Sequence, residues 1–177
     1  GCSSGFGREI ALHALSAGDF VGVSSRNVED VEDICKEYPK TALPIKLDVT
    51  NKDEIKESIQ TINKVYGGLD VLVNNAGYGY LAAIEEGENE EVRKLFETNF
   101  FGALELTKAA LPGMRAQRFG RIINNSSQAG IMANPGTGYY SASKYALEGL
   151  MEALDKELRP LNISVTSVQP GAFRTDW

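Results

Sequence analysis

Residues 1–7 read GCSSGFG and lead directly into a stretch with apolar residues at helical spacing. One face of that helix carries apolar side chains: Ile10, Ala11, Ala14 and Leu15. Gly18 stands where a glycine commonly ends a helix, and the apolar run 20–25 then predicts a strand. A glycine turn that opens a helix permits close backbone approach and presents N–H groups, so this beginning predicts a phosphate-binding turn of an α/β fold.

The rest of the chain alternates in the same way between short apolar runs and longer amphipathic stretches. The pattern predicts strands over residues 20–25, 43–47, 69–73, 122–125 and 164–168. It predicts further helices over residues 52–66, about 88–111 and about 138–158, with Pro112 and Pro160 just beyond the last two. Mostly apolar strands are typical of parallel strands covered on both faces. We therefore predict an α/β fold, a doubly wound parallel sheet of the Rossmann type with helices on both faces, in a single domain over residues 1–177.

The net charge and the few cysteines and histidines of the chain argue against several classes of partner and site. The net charge of −6 disfavours nucleic acid and anionic membranes as partners. No apolar run approaches the roughly 20 residues that a membrane helix requires. Two cysteines without paired spacing and a single histidine predict no metal site and indicate a reducing, cytoplasmic compartment. We expect a small-molecule partner, and assembly into a homo-oligomer stays open.

Several ordered stretches resemble the short-chain dehydrogenase/reductase family, and the resemblance covers essentially the whole chain. GCSSGFG is similar to its Thr-Gly-x-x-x-Gly-x-Gly turn, without the threonine. The stretch LDVLVNNAG at 69–77 resembles its Asp-x-Leu-x-Asn-Asn-Ala-Gly motif, which lies against the adenosine side of the cofactor. Asp48, followed by Val49, matches the acidic residue that meets the adenine. The resemblance implies an oxidoreductase whose cofactor contacts include Gly1, Ser3, Ser4, Gly5, Phe6, Gly7, Asp48, Val49, Asn75, Ala76 and Gly77.

The end of the 20–25 strand bears on the choice of cofactor. Family members that use NAD resemble one another in carrying Asp there, whereas this chain has Ser25 followed by Arg26. A carboxylate would repel a 2′-phosphate, and a guanidinium can bind it bidentately. Ser3 could add a hydroxyl. We therefore predict NADP(H), with a solvated surface arginine as the alternative role for Arg26.

Four residues form the expected catalytic set. Tyr140 and Lys144 are spaced i, i+4 on a predicted helix, so they share a face. A lysine ammonium favours the phenolate, and we expect it to lower the pKa of Tyr140 and make it a general acid/base. Ser127 follows a strand at the edge where open α/β sheets bind ligands, and the resemblance implies that it polarises the substrate oxygen. The resemblance also implies that Asn99 holds a relay water near Lys144, and that Lys144 binds the cofactor ribose.

The last motif is QPGAFRT at 169–175, which resembles the family's Pro-Gly-x-x-x-Thr loop. By resemblance, Pro170, Gly171, Phe173 and Thr175 contact the nicotinamide side of the cofactor. One departure is Asn125, at a strand position that is usually aliphatic in the family. A buried amide needs partners, so Asn125 either reshapes the floor of the active site or bonds a neighbouring loop.

These motifs predict hydride transfer between NADP(H) and a carbonyl or alcohol substrate. Two alternatives remain: a catalytically silent NADP-binding sensor, and a relative of sugar-nucleotide epimerases and dehydratases. We also expect the chain to be truncated at both ends. The glycine turn normally follows a central first strand, without which the strands at 20–25 and 69–73 would each face a gap, and Trp177 follows closely on the nicotinamide loop.

Overall fold

The computed structural model describes residues 1–173. By its internal contacts the chain divides into two compact units, Gly1–Gly68 and Leu69–Phe173. Each unit contains its own parallel sheet. The expectation of one domain over the whole chain stays a prediction.

The first unit alternates helices with two strands. Its elements are α1 (Gly5–Ser16), β1 (Val21–Ser25), a 3₁₀ turn (Val28–Val31), α2 (Glu32–Glu37), β2 (Ala42–Lys46) and α3 (Lys52–Tyr66). β1 and β2 are parallel, with Val21 opposite Ala42 and Ser25 opposite Lys46. The turn and α2 were not predicted, because a six-residue helix is too short to show a helical period.

The core of the first unit forms where its helices meet β1. The buried cluster consists of Ala11, Leu15, Val23, Val31 and Ile34. Gly22 allows α3 to approach β1 closely, because a Cβ there would lie 2.5 Å from Ile62 Cδ1. The resulting packing supports the turn before α1 and the end of β1, which carry the candidate phosphate contacts.

The second unit contains three parallel strands and three α-helices. Its elements are β3 (Val71–Asn74), α4 (Asn89–Phe96), a π turn (Glu97–Gly102), α5 (Ala103–Gln117), β4 (Gly120–Asn125), a 3₁₀ turn (Gln128–Gly130), α6 (Gly138–Leu158), a second 3₁₀ turn (Arg159–Leu161) and β5 (Ile163–Val168). The strand order is β3-β4-β5. In this register Asn74 lies opposite Asn124, and Asn125 lies opposite Val168.

The predicted α/β class is confirmed, and all five predicted strands are present as parallel strands. They form two sheets rather than one. Within residues 1–173, β1 pairs with β2 alone and β3 with β4 alone, so the strands at 20–25 and 69–73 each have one neighbour.

The helix prediction around Pro112 was wrong. Residues 88–111 were expected to form one helix ending before Pro112, but α5 includes Pro112 and continues to Gln117. An internal proline removes one backbone donor and crowds the preceding turn. Tertiary contacts outweigh that cost: Met114 is fully buried, and Gln117 Nε2 donates to Leu69 O at 3.0 Å and to Phe119 O at 2.9 Å.

Within the described residues, no helix is both long enough and apolar enough to cross a membrane.

Candidate active site

The segments that follow β4 and β5 are bonded to each other beyond the carboxyl edge of the second sheet. Ser126 N donates to Val168 O at 2.8 Å, and Gln128 N donates to Pro170 O at 2.9 Å. Parallel strands end at the same edge of a sheet, which is where ligands bind in open α/β folds. These bonds place Ser127, between the two donors, beside the loop that contains Pro170 and Gly171.

Helix α6 brings Tyr140 and Lys144 to Ser127. Both side chains belong to buried residues, with Tyr140 9% and Lys144 4% exposed. The Tyr140 hydroxyl is hydrogen-bonded to the Ser127 side chain. Lys144 Nζ lies 5.8 Å from the centre of the Tyr140 ring and donates to Asn125 O at 2.8 Å. The structure thus gathers the predicted serine, tyrosine and lysine into one cluster.

The electrostatics of this cluster differ from the prediction in one respect. We expected Lys144 to lower the pKa of Tyr140, but the pKa of Tyr140 is raised, because burial disfavours the phenolate. The hydrogen bond with Ser127 opposes that rise. Burial also lowers the pKa of Lys144 to about 8, while Glu148 acts in the opposite direction. Desolvation therefore outweighs the attraction that the i, i+4 spacing led us to expect.

Asn99 lies in the π turn and ties three segments together. It is 1% exposed, and its Oδ1 accepts from Tyr78 N at 3.0 Å. Its Nδ2 donates to Tyr78 O at 2.9 Å and to Ser143 Oγ at 3.2 Å. Ser143 Oγ in turn donates to Tyr140 O at 2.7 Å. π turns are frequent at functional sites, and this one turns Asn99 toward the catalytic helix.

Gly77 connects the segment after β3 to the same cluster. A Cβ on Gly77 would lie 3.1 Å from Asn99 Oδ1 and 3.6 Å from Lys144 Nζ. The exposed Gly77 backbone therefore borders both polar groups without a side chain between them. A cofactor held by Asn75, Ala76 and Gly77, as the resemblance implies, would pass directly beside Lys144.

The amide of Asn125 bonds a neighbouring segment, which was one of the two alternatives. Its Nδ2 donates to Asn75 Oδ1 at 2.9 Å, while its own carbonyl accepts from Lys144. One residue earlier, Asn74 Nδ2 donates to Asn124 Oδ1 at 2.8 Å and to Thr107 Oγ1 at 3.0 Å. Two neighbouring amide pairs, Asn74 with Asn124 and Asn75 with Asn125, thus link the ends of β3 and β4. Lys144 is hydrogen-bonded to the second pair through Asn125 O.

In the first unit, the turn before α1 is arranged to receive an anion. Gly5 has a φ of +56°, which glycine adopts at little cost. Ser3 and Ser4 are exposed, and the Ser4 side chain does not cap the helix that follows. No acidic residue lies in the first turn of α1. A helix N-terminus of this kind favours a phosphate, as the dinucleotide prediction requires.

Arg26 and Asp48 follow the two strands of the first unit. Arg26 is exposed, and no ion pair joins it to another side chain within residues 1–173. The pKa of Asp48 is lowered, chiefly because Thr50 donates to it through its backbone N at 2.9 Å and its hydroxyl at 2.7 Å. The positive charge of Arg26 also lowers the pKa of Asp48, although less than the hydrogen bonds from Thr50. An exposed guanidinium and an ionised carboxylate after these two strands are the groups that the resemblance implies for a ribose phosphate and an adenine.

The C-terminal loop is described only in part. Gly171 and Phe173 are exposed beyond β5, with Phe173 65% exposed, and a Cβ on Gly171 would lie 3.8 Å from Gln128 Oε1. Thr175 lies outside the described residues, so its predicted contact with the nicotinamide side stays a prediction.

Sequence reasoning missed three residues that shape the cluster. Ser143 links Asn99 to the backbone of Tyr140, and its i+3 spacing from Tyr140 was a usable signal. Gly130 lets the turn after Ser127 pack on α6, since a Cβ would lie 2.9 Å from Ser126 Oγ and 3.4 Å from Lys144 Cβ. Glu148 acts on the charge of Lys144, and its i+4 spacing could have indicated that contact.

Comparison with known proteins shows the family to which the chain belongs. The family model described as short chain dehydrogenase matches residues 1–177. The chain is 42% identical over 176 residues to a 3-ketodihydrosphingosine reductase of Bacteroides thetaiotaomicron, covering 99% of this chain and 62% of that protein. It is 36% identical over 182 residues to an NADPH-dependent 3-dehydrocapnine reductase of Ornithobacterium rhinotracheale, covering 99% of this chain and 64% of that protein.

A solved structure is similar over the same length. ElxO with NADP bound superimposes with a TM-score of 0.95 at 32% identity, covering 99% of this chain and 73% of that one. The chain therefore spans somewhat less than two thirds of the two curated relatives and nearly three quarters of this structure.

Proposed function

We propose that this chain, which belongs to the short chain dehydrogenase family, forms the cofactor-binding and catalytic core of an enzyme that reduces a ketone with NADPH. The observation that carries the proposal is the buried cluster of Ser127, Tyr140 and Lys144, in which Tyr140 is bonded to Ser127 and Lys144 lies beside the tyrosine ring. A polarising hydroxyl, a proton donor and a cation within one cluster are the groups that carbonyl reduction requires.

The proposed chemistry divides the work between cofactor and protein. Bound NADPH supplies the hydride that adds to the carbonyl carbon. The Ser127 hydroxyl donates a hydrogen bond to the carbonyl oxygen, and Tyr140 transfers its proton to that oxygen as negative charge develops there. Lys144 stabilises the tyrosinate that remains, and a proton from solvent then restores the tyrosine. Asn99 holds the Tyr78 backbone and Ser143 in place around these groups.

The named activities of the two curated relatives support reduction as the direction, since both are reductases and one acts on a compound named as a ketone. Burial raises the pKa of Tyr140, so the side chain carries at neutral pH the proton that carbonyl reduction requires. We therefore infer a ketone substrate for this chain.

NADP(H) is the cofactor that the first unit fits. Arg26 offers an exposed guanidinium at the end of β1, where a carboxylate would be expected for NAD. The turn before α1 carries no acidic residue that would repel phosphates. One relative is NADPH-dependent by name, and a similar structure contains NADP. These observations support Gly1–Gly7, Arg26 and Asp48 as the NADP(H) contacts of this chain.

The test is ketone-dependent oxidation of NADPH by the full-length protein, followed at 340 nm over a panel that includes 3-keto amino alcohols and simple ketones. We expect turnover with at least one ketone, and a loss of about 10²–10⁴ in kcat for Tyr140→Phe with NADPH affinity retained.

Tyr145→Phe is the matched control, because Tyr145 is 46% exposed on the same helix. Its kcat should stay within about twofold of the parent. Turnover by Tyr140→Phe at the parent rate would contradict the assignment of the proton donor. Tight NADPH binding without turnover on any carbonyl would favour the sensor alternative.

A further inference from the structure

Glu148 is an acidic residue of α6, the helix that carries Tyr140 and Lys144. The proposed chemistry gives it no role. It lies one turn beyond Lys144 on α6, at the i+4 position that shares a helix face. Its Oε1 is buried and accepts no hydrogen bond from any group within residues 1–173. A buried carboxylate oxygen without a donor is unusual in a folded protein, because burial disfavours the charge unless something compensates.

Within residues 1–173, no donor lies within hydrogen-bond distance of Glu148 Oε1. Gly130 packs between Glu148 and Ser126: a Cβ on Gly130 would lie 3.1 Å from Glu148 Cγ and 2.9 Å from Ser126 Oγ. The Ser126 hydroxyl is also buried and unbonded, so it does not donate to Glu148. The same turn lies 3.4 Å from Lys144 Cβ, again measured from a Cβ on Gly130. The Glu148 and Lys144 side chains therefore both border the Gly130 turn, and Glu148 Oε1 has no hydrogen-bond donor of its own within residues 1–173.

We propose that Glu148, one turn beyond Lys144 on α6 and with a buried oxygen that accepts no hydrogen bond within residues 1–173, is a positioning residue that supplies the counter-charge of the buried Lys144 side chain. This inference rests on the proposed function, in which the charge of Lys144 stabilises the tyrosinate form of Tyr140. The pKa of Lys144 is about 8, because burial lowers it while Glu148 acts to raise it. A further fall in this pKa would leave part of Lys144 uncharged at neutral pH.

Other charged and titratable groups around α6 do not replace Glu148. Tyr140 on the same helix is the proposed proton donor, and Tyr78 is held through its backbone by Asn99. The π turn and α4 carry Glu90, Arg93, Lys94 and Glu97, which are exposed, and Glu91, which pairs with Lys94. β5 and the Gln128–Gly130 turn contribute no ionisable side chain. Arg159, in the turn after α6, is paired with Asp155.

The direct test is an NMR pH titration of ¹³C-labelled lysine side chains in the full-length protein without cofactor, with the Lys144 signal assigned by its loss in Lys144→Arg. We expect Glu148→Gln to lower the titration midpoint of Lys144 by about one pH unit, the size of a close charge interaction. Glu152→Gln makes the same change one turn further on, at an exposed residue paired with Lys156, and should leave the midpoint unchanged.

A second variant separates charge from shape. Glu148→Asp keeps the charge on a shorter side chain, and we expect it to keep most of the parent midpoint. Equal shifts in the Asp and Gln variants, an unchanged midpoint in Glu148→Gln, or failure of Glu148→Gln to fold would each overturn the proposal, because Glu148 would then matter for packing or not at all.

The catalytic readout is the pH profile of NADPH-dependent reduction. In Glu148→Gln the alkaline fall in kcat should begin about one pH unit lower, while activity at acidic pH stays within about twofold of the parent. A uniform loss at every pH would mean a structural role. The NMR titration needs no turnover, so it decides the role of Glu148 even if the proposed ketone reduction fails.

Discussion

The candidate catalytic residues of the second unit and the candidate cofactor residues of the first unit are held in opposite ways. Asn99 and Lys144 are 1% and 4% exposed, and each is hydrogen-bonded to the backbone of another segment. Ser3, Ser4 and Arg26 are exposed, and Ser4 does not cap the helix that it precedes.

This difference follows from what each group must do. A proton donor and its neighbours have to be oriented before the substrate arrives, so the fold supplies their contacts. Groups that bind a phosphate obtain their contacts from the ligand itself, which fits the exposure of Ser3, Ser4 and Arg26 if they have the proposed role. Substitutions in the catalytic cluster should therefore change stability, whereas those in the cofactor turn should change binding alone.

Asn99→Ala should show the largest effect on stability. It removes three hydrogen bonds and leaves both main-chain groups of Tyr78 without that partner, which we expect to lower the free energy of unfolding by about 2–4 kcal/mol. Urea denaturation would measure the change. Asn63→Ala, at an exposed position of α3, is the control and should stay within about 0.5 kcal/mol of the parent. Equal losses in both variants would contradict the assigned role of the Asn99 contacts.

Arg26→Ala should leave stability unchanged and affect only the choice of cofactor. Loss of a charged hydrogen bond to the 2′-phosphate should weaken NADPH binding by about 1.5–3 kcal/mol and leave NADH binding nearly unchanged. Calorimetric titration with both cofactors measures this. Arg115→Ala serves as an exposed control in the second unit. If NADPH and NADH weaken equally, Arg26 has a structural role and the comparison of the two regions fails.

Lys144→Met should remove the part of the pH dependence of stability that Lys144 causes, and it should abolish the proposed ketone reduction. Burial lowers the pKa of Lys144 from 10.5 to about 8, so between these pH values the folded state binds fewer protons than the unfolded state. Parent stability should therefore rise with pH across this window. The methionine removes the titrating amine, so the free energy of unfolding of the variant should stay nearly constant across this window.

Urea denaturation between pH 7 and about pH 10 would test that prediction. The rise in stability with pH should flatten in Lys144→Met and persist in Lys64→Met, which alters an exposed lysine of α3. A stability difference that does not depend on pH would show that the ionisation of Lys144 is not its cause.

The smallest effect compares two helix starts within the first unit. Asn51 caps α3, with its Oδ1 accepting from Asp53 N at 3.0 Å and Glu54 N at 3.3 Å, whereas Ser4 makes no such bond to α1. Asn51→Ala should therefore cost about 1 kcal/mol of stability, and Ser4→Ala only a few tenths. Thermal melting of both variants measures the difference. A large loss in Ser4→Ala would show that α1 depends on Ser4 for its own stability rather than leaving its N-terminus for a ligand.

The sequence by itself determined the strands and the parallel α/β class, and its resemblance to the family supplied the candidate residues Ser127, Tyr140, Lys144 and Asn99. Apolar runs, glycine turns and the i, i+4 spacing of Tyr140 and Lys144 are local patterns that follow from the geometry of one helix or strand, whereas the separation of Ser127 from Tyr140 was matched only through the resemblance. The end of α5 could not be read in this way, because contacts of Met114 and Gln117 with distant residues keep the helix intact past Pro112.

Only the tertiary structure decided the electrostatics of the site. Spacing alone predicted that Lys144 would lower the pKa of Tyr140, but burial raises it, and the extent of burial depends on every segment packed around α6. The hydrogen-bond partners of Asn125 and Asn99 could not be predicted from the sequence either. Asn75 contacts Asn125, and Tyr78 contacts Asn99, only once segments distant in sequence are packed together. Desolvation and long-range hydrogen bonds are properties of the packed chain, and no local pattern encodes them.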